Sequence, residues 1–154
     1  MIILKTWLAF QRIPLIGRFL FRFAVRRFAP YSSSIYPDVE KLELGFARAS
    51  MRDRKCLRNP FQSVHAIALA NLGELVTGLA VLTAMPAGRR GIVNAFTIHF
   101  HKKARGRISC ECRTAFPDQD GPFQVKADLV DGSGVRVADV IASWEIGSAR
   151  KGAV

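Results

Sequence analysis

Acidic residues are absent from the first 37 positions of this chain, a segment that we call the leader. The leader nevertheless carries six basic residues, Lys5, Arg12, Arg18, Arg22, Arg26 and Arg27, which supply more than half of the formal net charge of +11. A net positive charge favours anionic partners, namely nucleic acid, a membrane surface or a phosphate-bearing small molecule. Nucleic acid ranks lowest, because the basic residues are interleaved with phenylalanine in a predicted helix and no recognition motif is present.

Cysteine is also scarce, and its spacing argues against a disulfide framework. The three cysteines, Cys56, Cys110 and Cys112, are odd in number, and no CxxC pair occurs. Cys110 and Cys112 fall on one face of a predicted strand, with the spacing of core side chains. No secretion signal accompanies them, so we expect reduced thiols in a cytoplasmic protein.

Long uncharged runs are missing from the leader as well. Arginines interrupt its apolar residues, and no charge-free run approaches the ~18 residues of a membrane span, so neither a signal peptide nor a span is expected. The pattern predicts two short helices broken at residues 14–17. In the second helix Arg18, Arg22 and Arg26 follow at intervals of four, and apolar side chains lie opposite them: Leu20, Phe21, Ala24 and Phe28.

Two interpretations of these helices stay open. They pack on the rest of the protein, or residues 1–30 lie on a membrane surface. Residues 30–37, which include three serines, are the predicted linker. We divide the chain of 154 residues into the leader at 1–37, one domain at 38–147 and a flexible tail at 148–154. With 49% hydrophobic residues, the chain is long enough for one core that needs no covalent staple.

The most apolar part of that domain lies at residues 59–86. Between Arg58 and Arg89 the only formal charge is Glu74. A helix that is apolar on nearly all sides is a buried helix. A carboxylate inside it needs a physical reason, because burying an unpaired charge costs several kcal/mol or forces the group to become neutral.

The ends of this helix and its small residues are also marked in the sequence. Ser63 is the predicted N-cap, and Pro86 with Gly88 is the predicted stop, which makes a helix of about six turns. Gly73 and Gly78 lower helix propensity. We therefore expect a sheet or a second helix to come close at these two glycines.

The remaining sequence changes to a period of two, which is typical of half-buried strands. Leu42, Leu44 and Phe46 predict one strand, and residues 51–58 either extend it or form a short second one. Four strands are predicted after the helix, and in the last of them the apolar phase slips near Asp139, which indicates a bulge. These strands are marked by Phe96 to Phe100, Ile108 to Phe116, Phe123 to Leu129 and Val135 to Ile146. The predicted fold class is α+β, with an antiparallel sheet of about five to six strands wrapped around one long central helix and preceded by amphipathic helices.

This layout resembles the hotdog fold, in particular the thioesterase branch related to phenylacetyl-CoA and 4-hydroxybenzoyl-CoA thioesterases. The similarity is greatest to a branch of unknown function that also carries a basic, phenylalanine-rich leader ending in Pro-Tyr, here Pro30-Tyr31. In the family an Asn is followed six residues later by a His that opens a His-Gly-Gly turn, and nine residues after that by an Asp or Glu on the central helix. Asn59, His65 and Glu74 stand at those spacings.

The resemblance implies roles for these residues and departs from the family at one point. A backbone amide of the turn polarises the thioester carbonyl in family members, but His-Gly-Gly reads His65-Ala66-Ile67 here. Ile67 keeps the amide, and its side chain narrows or reshapes the acyl entrance. Ala66 and Ile67 are therefore expected at the substrate. No metal or redox cofactor is implied, and coenzyme A enters only as part of the substrate.

The chemistry also follows from the residues themselves. A helix N-terminus offers free amides and a partial positive charge, which suit a thioester oxygen as it becomes an oxyanion. Glu74, about two turns further along, attacks the carbonyl or activates water. Desolvation by the surrounding leucines should raise the pKa of Glu74, which helps a general base and weakens a nucleophile. Asn59 holds the water or the carbonyl, and His65 orients the turn. The structural alternative is a Glu74 carboxylate bonded to a buried partner.

Two further clusters carry weaker signals. His99 and His101 share a strand face, but no third ligand has suitable spacing, so a solvated or cleft-lining pair is favoured over a metal site. A basic run surrounds a turn between strands and is either a solvated edge or a site for the phosphates of coenzyme A. Its members are Lys102, Lys103, Arg105 and Arg107, of which the first three are the predicted phosphate ligands.

The sequence thus predicts a cytoplasmic acyl-CoA thioesterase that uses Glu74 with Asn59 and the turn at His65, with membrane association through residues 1–30 as an open alternative. The alternative from another class is a non-catalytic protein that binds acyl-CoA or lipid in the same pocket. Because one hotdog sheet leaves an edge and one helix face uncovered, and family members complete the site across a two-fold axis, a homodimer is expected. A dimer of dimers is the larger alternative.

Overall fold

The apolar stretch forms one helix, α3 (Ala66–Ala84), in the computed structural model of the protein, which describes residues 2–13, 16–117 and 119–149. Thirteen of its 19 residues are buried, as expected for a helix without a polar face. α3 is long and apolar enough to cross a membrane, but 72% of its most apolar 18-residue stretch is buried inside the fold. It is therefore the core helix of the domain.

Six antiparallel strands form the sheet that surrounds α3. They are β1 (Asp38–Glu43), β2 (Phe46–Arg52), β3 (Arg89–Phe100), β4 (Arg107–Arg113), β5 (Gly121–Val130) and β6 (Arg136–Ser148). Their order across the sheet is β1-β2-β4-β5-β6-β3, so β1 and β3 are the edge strands. Alternate side chains of β4, β5 and β6 are buried in the core, which is the period-two pattern of a half-covered sheet. The predicted α+β layout is confirmed.

The last strand contains the predicted irregularity. Leu129 pairs with Ala138 and Val130 pairs with Arg136, so Val137 is an extra residue on β6. This bulge lies two residues before Asp139, where the apolar phase slips. Both Val137 and Ala138 are fully buried, which explains why the alternation fails there.

The chain reverses between β1 and β2, at Leu44 and Gly45. The alternation of Leu42, Leu44 and Phe46 predicts a single strand here, and that prediction is wrong. Leu44 is 65% exposed, and Gly45 has a φ of +66°. A Cβ at Gly45 would fall 2.1 Å from the carbonyl oxygen of Thr114, so only glycine fits this turn.

α3 begins two residues later than predicted. Ser63 belongs instead to the preceding loop, where its amide and its hydroxyl donate to Asn59 Oδ1 over 3.2 and 3.1 Å. His65 is the N-cap, because its Nδ1 accepts the amide of Ile67 at 3.1 Å. The helix therefore has about five turns instead of six.

The leader forms the two predicted helices, α1 (Ile2–Gln11) and α2 (Gly17–Phe28). Trp7 and Phe21 are both buried and meet edge to face, with ring centroids 4.9 Å apart. Phe21 and Val25 join the hydrophobic core, so the leader packs on the domain. Phe28, predicted on the same apolar face, is 72% exposed and borders an apolar groove. Membrane contact remains a prediction for the outward side of α2.

Residues 30–37, the predicted linker, lie against α3. They contain a short 3-10 helix, Ser32–Ile35, whose Ile35 is buried. The side-chain amide of Asn71 on α3 donates to the carbonyl oxygen of Tyr31 over 3.3 Å. At the other end of the chain β6 runs to Ser148, and residues 150–154 of the predicted tail lie outside the described residues.

The three cysteines are free thiols. Cys110 and Cys112 are buried on the inner face of β4, as their spacing predicts, and Cys56 is exposed. Burial raises the pKa of both inner thiols, that of Cys112 to about 11. These two cysteines therefore behave as small apolar core residues.

Gly73→Ala should destabilise the protein, because Gly73 lets α3 approach the sheet. A Cβ at position 73 would fall 2.7 Å from Val140 Cγ1, and Val140 is fully buried and stiff. Overpacking of this kind costs about 1 to 3 kcal/mol. The helix propensity that alanine gains over glycine, up to about 1 kcal/mol, does not offset it. Urea denaturation measures the difference.

Gly78→Ala is the matched control on the same helix. Its Cβ would meet only Trp144 Cζ2, at 4.0 Å, so the gain in propensity should leave the variant as stable as the wild type or more so. Equal losses at positions 73 and 78 would contradict the close approach at Gly73.

Candidate functional site

Glu74 lies on the side of α3 that the sheet does not cover. It borders a groove of about 400 Å³ between α3 and the leader. The rest of the lining is mostly apolar and comes from both sides: Ile3, Thr6, Phe21, Ala24, Val25, Phe28, Ala29, Ser32, Leu75, Gly78, Leu79 and Leu82. Among the described residues of this lining Glu74 is the only charged group, and it is exposed to water at the open side of the groove.

The Glu74 carboxylate has a neutral partner. The Ser32 side chain lies near it, and no ion pair of Glu74 occurs among the residues that the structure describes. Desolvation by the groove walls raises the pKa of Glu74 above the ordinary value of 4.5, and the nearby Ser32 side chain lowers it by a smaller amount. Within one chain, the alternative of a carboxylate held by a buried cation is not supported.

The N-terminus of α3 is a separate feature with its own donors. His65 Nδ1 takes the amide of Ile67, and the His65 carbonyl takes the amides of Ala68 and Leu69 over 2.9 and 3.2 Å. The amide of Ala66 makes no hydrogen bond within the described part of the chain. The donor predicted from the resemblance, Ile67, is therefore occupied, and Ala66 offers the free one.

Asn59 organises the loop that leads into this helix. Its Oδ1 accepts the amide of Phe61 over 3.0 Å and both donors of Ser63. The side-chain oxygen is thus engaged in the loop, and only the Asn59 amide group is left for a ligand. Asn59 and Ala66 border a second pocket of about 340 Å³. Its other lining residues are Phe61, Ser63, Val64, Leu69, Phe100, His101, Lys102, Lys103 and Ala104.

The basic run divides into members at the pocket and members elsewhere. Lys102 and Lys103 line the second pocket, and Lys103 Nζ lies 5.9 Å from the centroid of the Phe61 ring. Arg107 forms an ion pair with Glu40 of the edge strand β1 over 2.6 Å, so it lies away from the second pocket. Arg105 is exposed and lines neither of the two pockets.

One chain does not bring the predicted catalytic residues together. Glu74 borders the groove, whereas Asn59 and Ala66 border the second pocket, and His65 and Ile67 are exposed and line neither. Ala66 and Glu74 are eight residues apart, which is about 12 Å along a helix axis. A thioester oxygen held by the Ala66 amide is therefore out of reach of Glu74 in the same chain, since reacting atoms must approach to about 3 to 3.5 Å.

His99 and His101 form an exposed cluster with a residue that sequence spacing does not reveal. Asp139 on the paired strand β6 accepts from His99 Nδ1 at 3.1 Å and His101 Nε2 at 2.5 Å. These bonds lower the pKa of Asp139. Among the described residues, no group of three or more His, Cys, Asp or Glu side chains has an arrangement that could hold a metal ion.

Sequence reasoning missed Ser32 and the leader side of the groove. Ser32 lies near Glu74 although the two residues are 42 positions apart in the chain, a proximity for which no spacing rule exists. The available signal was the run of three serines at 32–34, where Ser34 also accepts from the Asn71 side chain over 3.4 Å. By local pattern alone, a polar run between a helix and a strand predicts only a linker.

Comparison with solved structures places this architecture in a known class. A structural-genomics protein, APC5556, superposes with a TM-score of 0.84 at 25% identity, over 97% of this chain and all of that one. A Pseudomonas aeruginosa protein of unknown function, PA5026, described as a probable thioesterase, gives 0.75 at 25% identity over 83% and 93% of the two chains. The Escherichia coli PaaI protein of the phenylacetic acid degradation operon gives 0.70 at 18% identity over 82% and 91%.

The fold is therefore the hotdog fold, and its structural neighbours include thioesterases, as the sequence resemblance predicts. The family model described as Domain of unknown function (DUF4442) matches residues 17–146, and the chain belongs to that family. No curated protein matches the sequence.

Ser32→Ala should raise the pKa of Glu74 further, because the nearby hydroxyl group that favours the carboxylate is removed while the apolar groove stays. Carbon-13 NMR of the side-chain carboxyl group, followed over pH, measures this. Because the folded pKa of Glu74 already lies above that of the unfolded chain, its ionisation costs stability as pH rises through the folded value. Glu74→Gln should remove this loss and be at least as stable as the wild type at neutral pH.

Ser33→Ala is the matched control, since the Ser33 hydroxyl donates to the carbonyl oxygen of Ala29 and does not contact Glu74. It should leave the titration of Glu74 unchanged. A Ser32→Ala titration that coincides with the wild type would contradict the contact between Ser32 and Glu74.

Proposed function

We propose that the protein is an acyl thioester hydrolase of the acyl-CoA thioesterase type, with Glu74 as its general base. The observation that carries the proposal is a carboxylate with raised pKa and no cation beside it, at the wall of an apolar groove. A carboxylate needs a cation partner when it is fully buried, and Glu74, which is exposed to solvent at the groove wall, does not. A carboxyl group that is desolvated but still reached by water is suited to taking a proton near neutral pH.

The groove supports an acyl substrate. Apart from Glu74, Thr6 and Ser32 its walls are apolar, and leader residues that include Ala24 and Phe28 form one side. A volume of about 400 Å³ lies within the range of small-molecule sites. An acyl chain lying along Leu75, Leu79 and Leu82 would place its carbonyl carbon at the Glu74 end.

The second half of the site is proposed to come from another copy of the chain. Glu74 and the free Ala66 amide lie too far apart within one chain, so each needs a complement from a partner. β3 is a 12-residue edge strand with an unpaired edge, which is where a second sheet can add. A two-fold homodimer then sets Glu74 of one chain against the helix N-terminus of the other and creates two equivalent sites.

In the proposed reaction, Glu74 takes a proton from water as the water oxygen bonds to the thioester carbonyl carbon. The carbonyl electrons move to its oxygen, which the Ala66 amide and the N-terminal end of α3 stabilise. Collapse of this intermediate breaks the carbon–sulfur bond, and the proton from Glu74 passes to the departing thiolate. Lys102 and Lys103 lie beside the same helix N-terminus and are proposed to bind phosphates of coenzyme A.

One observation favours the alternative, a protein that binds acyl-CoA or lipid without hydrolysis. The Ile67 amide, the family's expected donor, is capped by His65. If no other amide serves the oxyanion, the pocket holds a ligand and does not cleave it. Hydrolysis of a thioester panel, with a colorimetric reagent for released thiol, separates the two functions.

Glu74→Gln should lower turnover by at least about 100-fold, the scale of a lost general base. The amide keeps the size of the side chain, and no counter-charge is left unpaired within the chain, so the melting temperature should not fall. The matched control is Glu145→Gln, an exposed carboxylate on β6 outside both pockets. Wild-type hydrolysis in Glu74→Gln would reject the catalytic assignment.

Mixed dimers test whether the site spans two chains. Ala66→Pro removes the free amide at the first helical position, where proline is tolerated, and His65 before it already has a compatible ψ of 141°. Glu74→Gln and Ala66→Pro should each be nearly inactive alone. Unfolding and refolding them together in equal amounts should restore about a quarter of wild-type activity, because half of the dimers then hold one intact site.

Two outcomes oppose the composite site. Absence of recovery, with mixed dimers verified by mass spectrometry, would place the whole site in one chain. A protein that sediments as a monomer at micromolar concentration while active would exclude the dimer.

A further inference from the structure

α2 carries an exposed aromatic pair that neither the core nor the groove uses. Phe19 and Phe23 are 54% and 55% exposed, and their rings meet edge to face with centroids 5.1 Å apart. Phe21, between them in sequence, is buried. The helix therefore has an inner face that joins the core and an outer face that presents two phenylalanines to solvent, where an isolated domain gains nothing from them.

A basic cleft lies directly beside this pair. About 240 Å³ in volume, it is lined by Phe19, Phe23, Arg22, Arg26, Pro30, Ser33, Ser34 and Tyr36. Arg22 reaches Asp38 at 3.8 Å, and its buried Nε has no hydrogen-bond partner among the described residues. Arg26 forms no ion pair within the described ranges. Two guanidinium groups with unused donors next to hydroxyl groups form a site for a phosphate-type anion.

The charge around the cleft points in the same direction. Six basic residues and no acidic one stand before Asp38, and Asp38 itself contacts Arg18 at 3.0 Å and Arg107 at 3.6 Å. The surface thus combines exposed aromatic rings with an excess of positive charge. A second copy of the leader would be repelled by it, whereas a surface that offers phosphates above an apolar layer complements both features.

We propose that the outer face of α2 docks on an anionic phospholipid bilayer. Phe19 and Phe23 enter the boundary between headgroups and acyl chains, and Arg22 and Arg26 hold lipid phosphates in the adjoining cleft. The opposite side of the same helix forms a wall of the groove at Glu74. Docking would therefore bring the groove to the layer where amphiphilic acyl compounds collect, but the proposal does not depend on thioester hydrolysis.

Co-sedimentation of the full chain with vesicles tests the proposal. Wild-type protein should bind vesicles of phosphatidylcholine mixed with phosphatidylglycerol, and the binding should weaken with salt and be at least about tenfold lower for phosphatidylcholine alone. Arg22→Gln with Arg26→Gln should lower the partition coefficient by about 30-fold, since each arginine near an anionic surface contributes about fivefold. Phe19→Ala with Phe23→Ala should lower it by at least about tenfold.

Matched controls remove similar side chains elsewhere. Leu44→Ala and Arg90→Gln alter an exposed apolar and an exposed basic residue outside the leader and should bind like the wild type. Arg26→Gln alone is the second charge variant, because Arg26 forms no ion pair with any described residue whose loss could affect folding. Melting temperatures of all variants should match that of the wild type.

Several results would overturn the proposal. One is vesicle binding that both double variants retain. Another is binding that ignores lipid charge and salt. A third is a wild-type protein that does not bind vesicles but self-associates, with the self-association abolished by Phe19→Ala with Phe23→Ala. That result would make this face a contact between copies of the chain. Equal affinity for a DNA duplex, reduced in the same way by Arg26→Gln, would favour nucleic acid instead.

Discussion

The burial of α3 inside the sheet is the constraint on which the rest of this structure depends. The helix has no polar face, so it is stable only where other elements cover it. The strands cover most of it, and Gly73 lets the helix backbone approach Val140 to a distance that a methyl group would prevent. The leader and the segment at residues 30–37 cover part of the remainder. Two parts of α3 stay uncovered. One is a short stripe that contains Glu74, and the other is the N-terminus of the helix.

This arrangement decides where polar chemistry is possible. A carboxylate on a helix of this kind is tolerated only at the uncovered stripe, where water reaches it, and Glu74 occupies that position beside Ser32. The other polar group available is the Ala66 amide at the start of α3, which makes no hydrogen bond within the described part of the chain. It lies eight residues from Glu74 on the same helix, so the two groups cannot meet within one chain. The proposal of a site shared by two chains follows from this separation, together with the open edge of β3.

The helix α2 contributes residues to three different surfaces. Phe21 and Val25 bind it to the core, Ala24 and Phe28 border the groove, and Phe19 and Phe23 face outward. Its basic residues are distributed between an ion pair at Asp38 and the cleft beside the outward phenylalanines. The packing interpretation and the proposed membrane contact therefore concern different faces of α2 and do not exclude each other.

The sequence by itself determined the elements whose signals are local. Periods of 2 and 3.6 residues, and proline or glycine at the breaks, identified the core helix, most strands and both leader helices, because these patterns reflect contacts between near neighbours in the chain. The spacing of Asn59, His65 and Glu74 also identified the fold family. Tertiary structure decided what local patterns leave open. The chain reverses at Gly45 although the apolar and polar residues around it alternate as in one strand. His65 and not Ser63 is the N-cap of α3, because Asn59 holds Ser63 in the preceding loop. Whether Glu74 meets Ser32, a cation or the helix N-terminus depends on contacts between residues tens of positions apart, which only packing of the whole chain brings about.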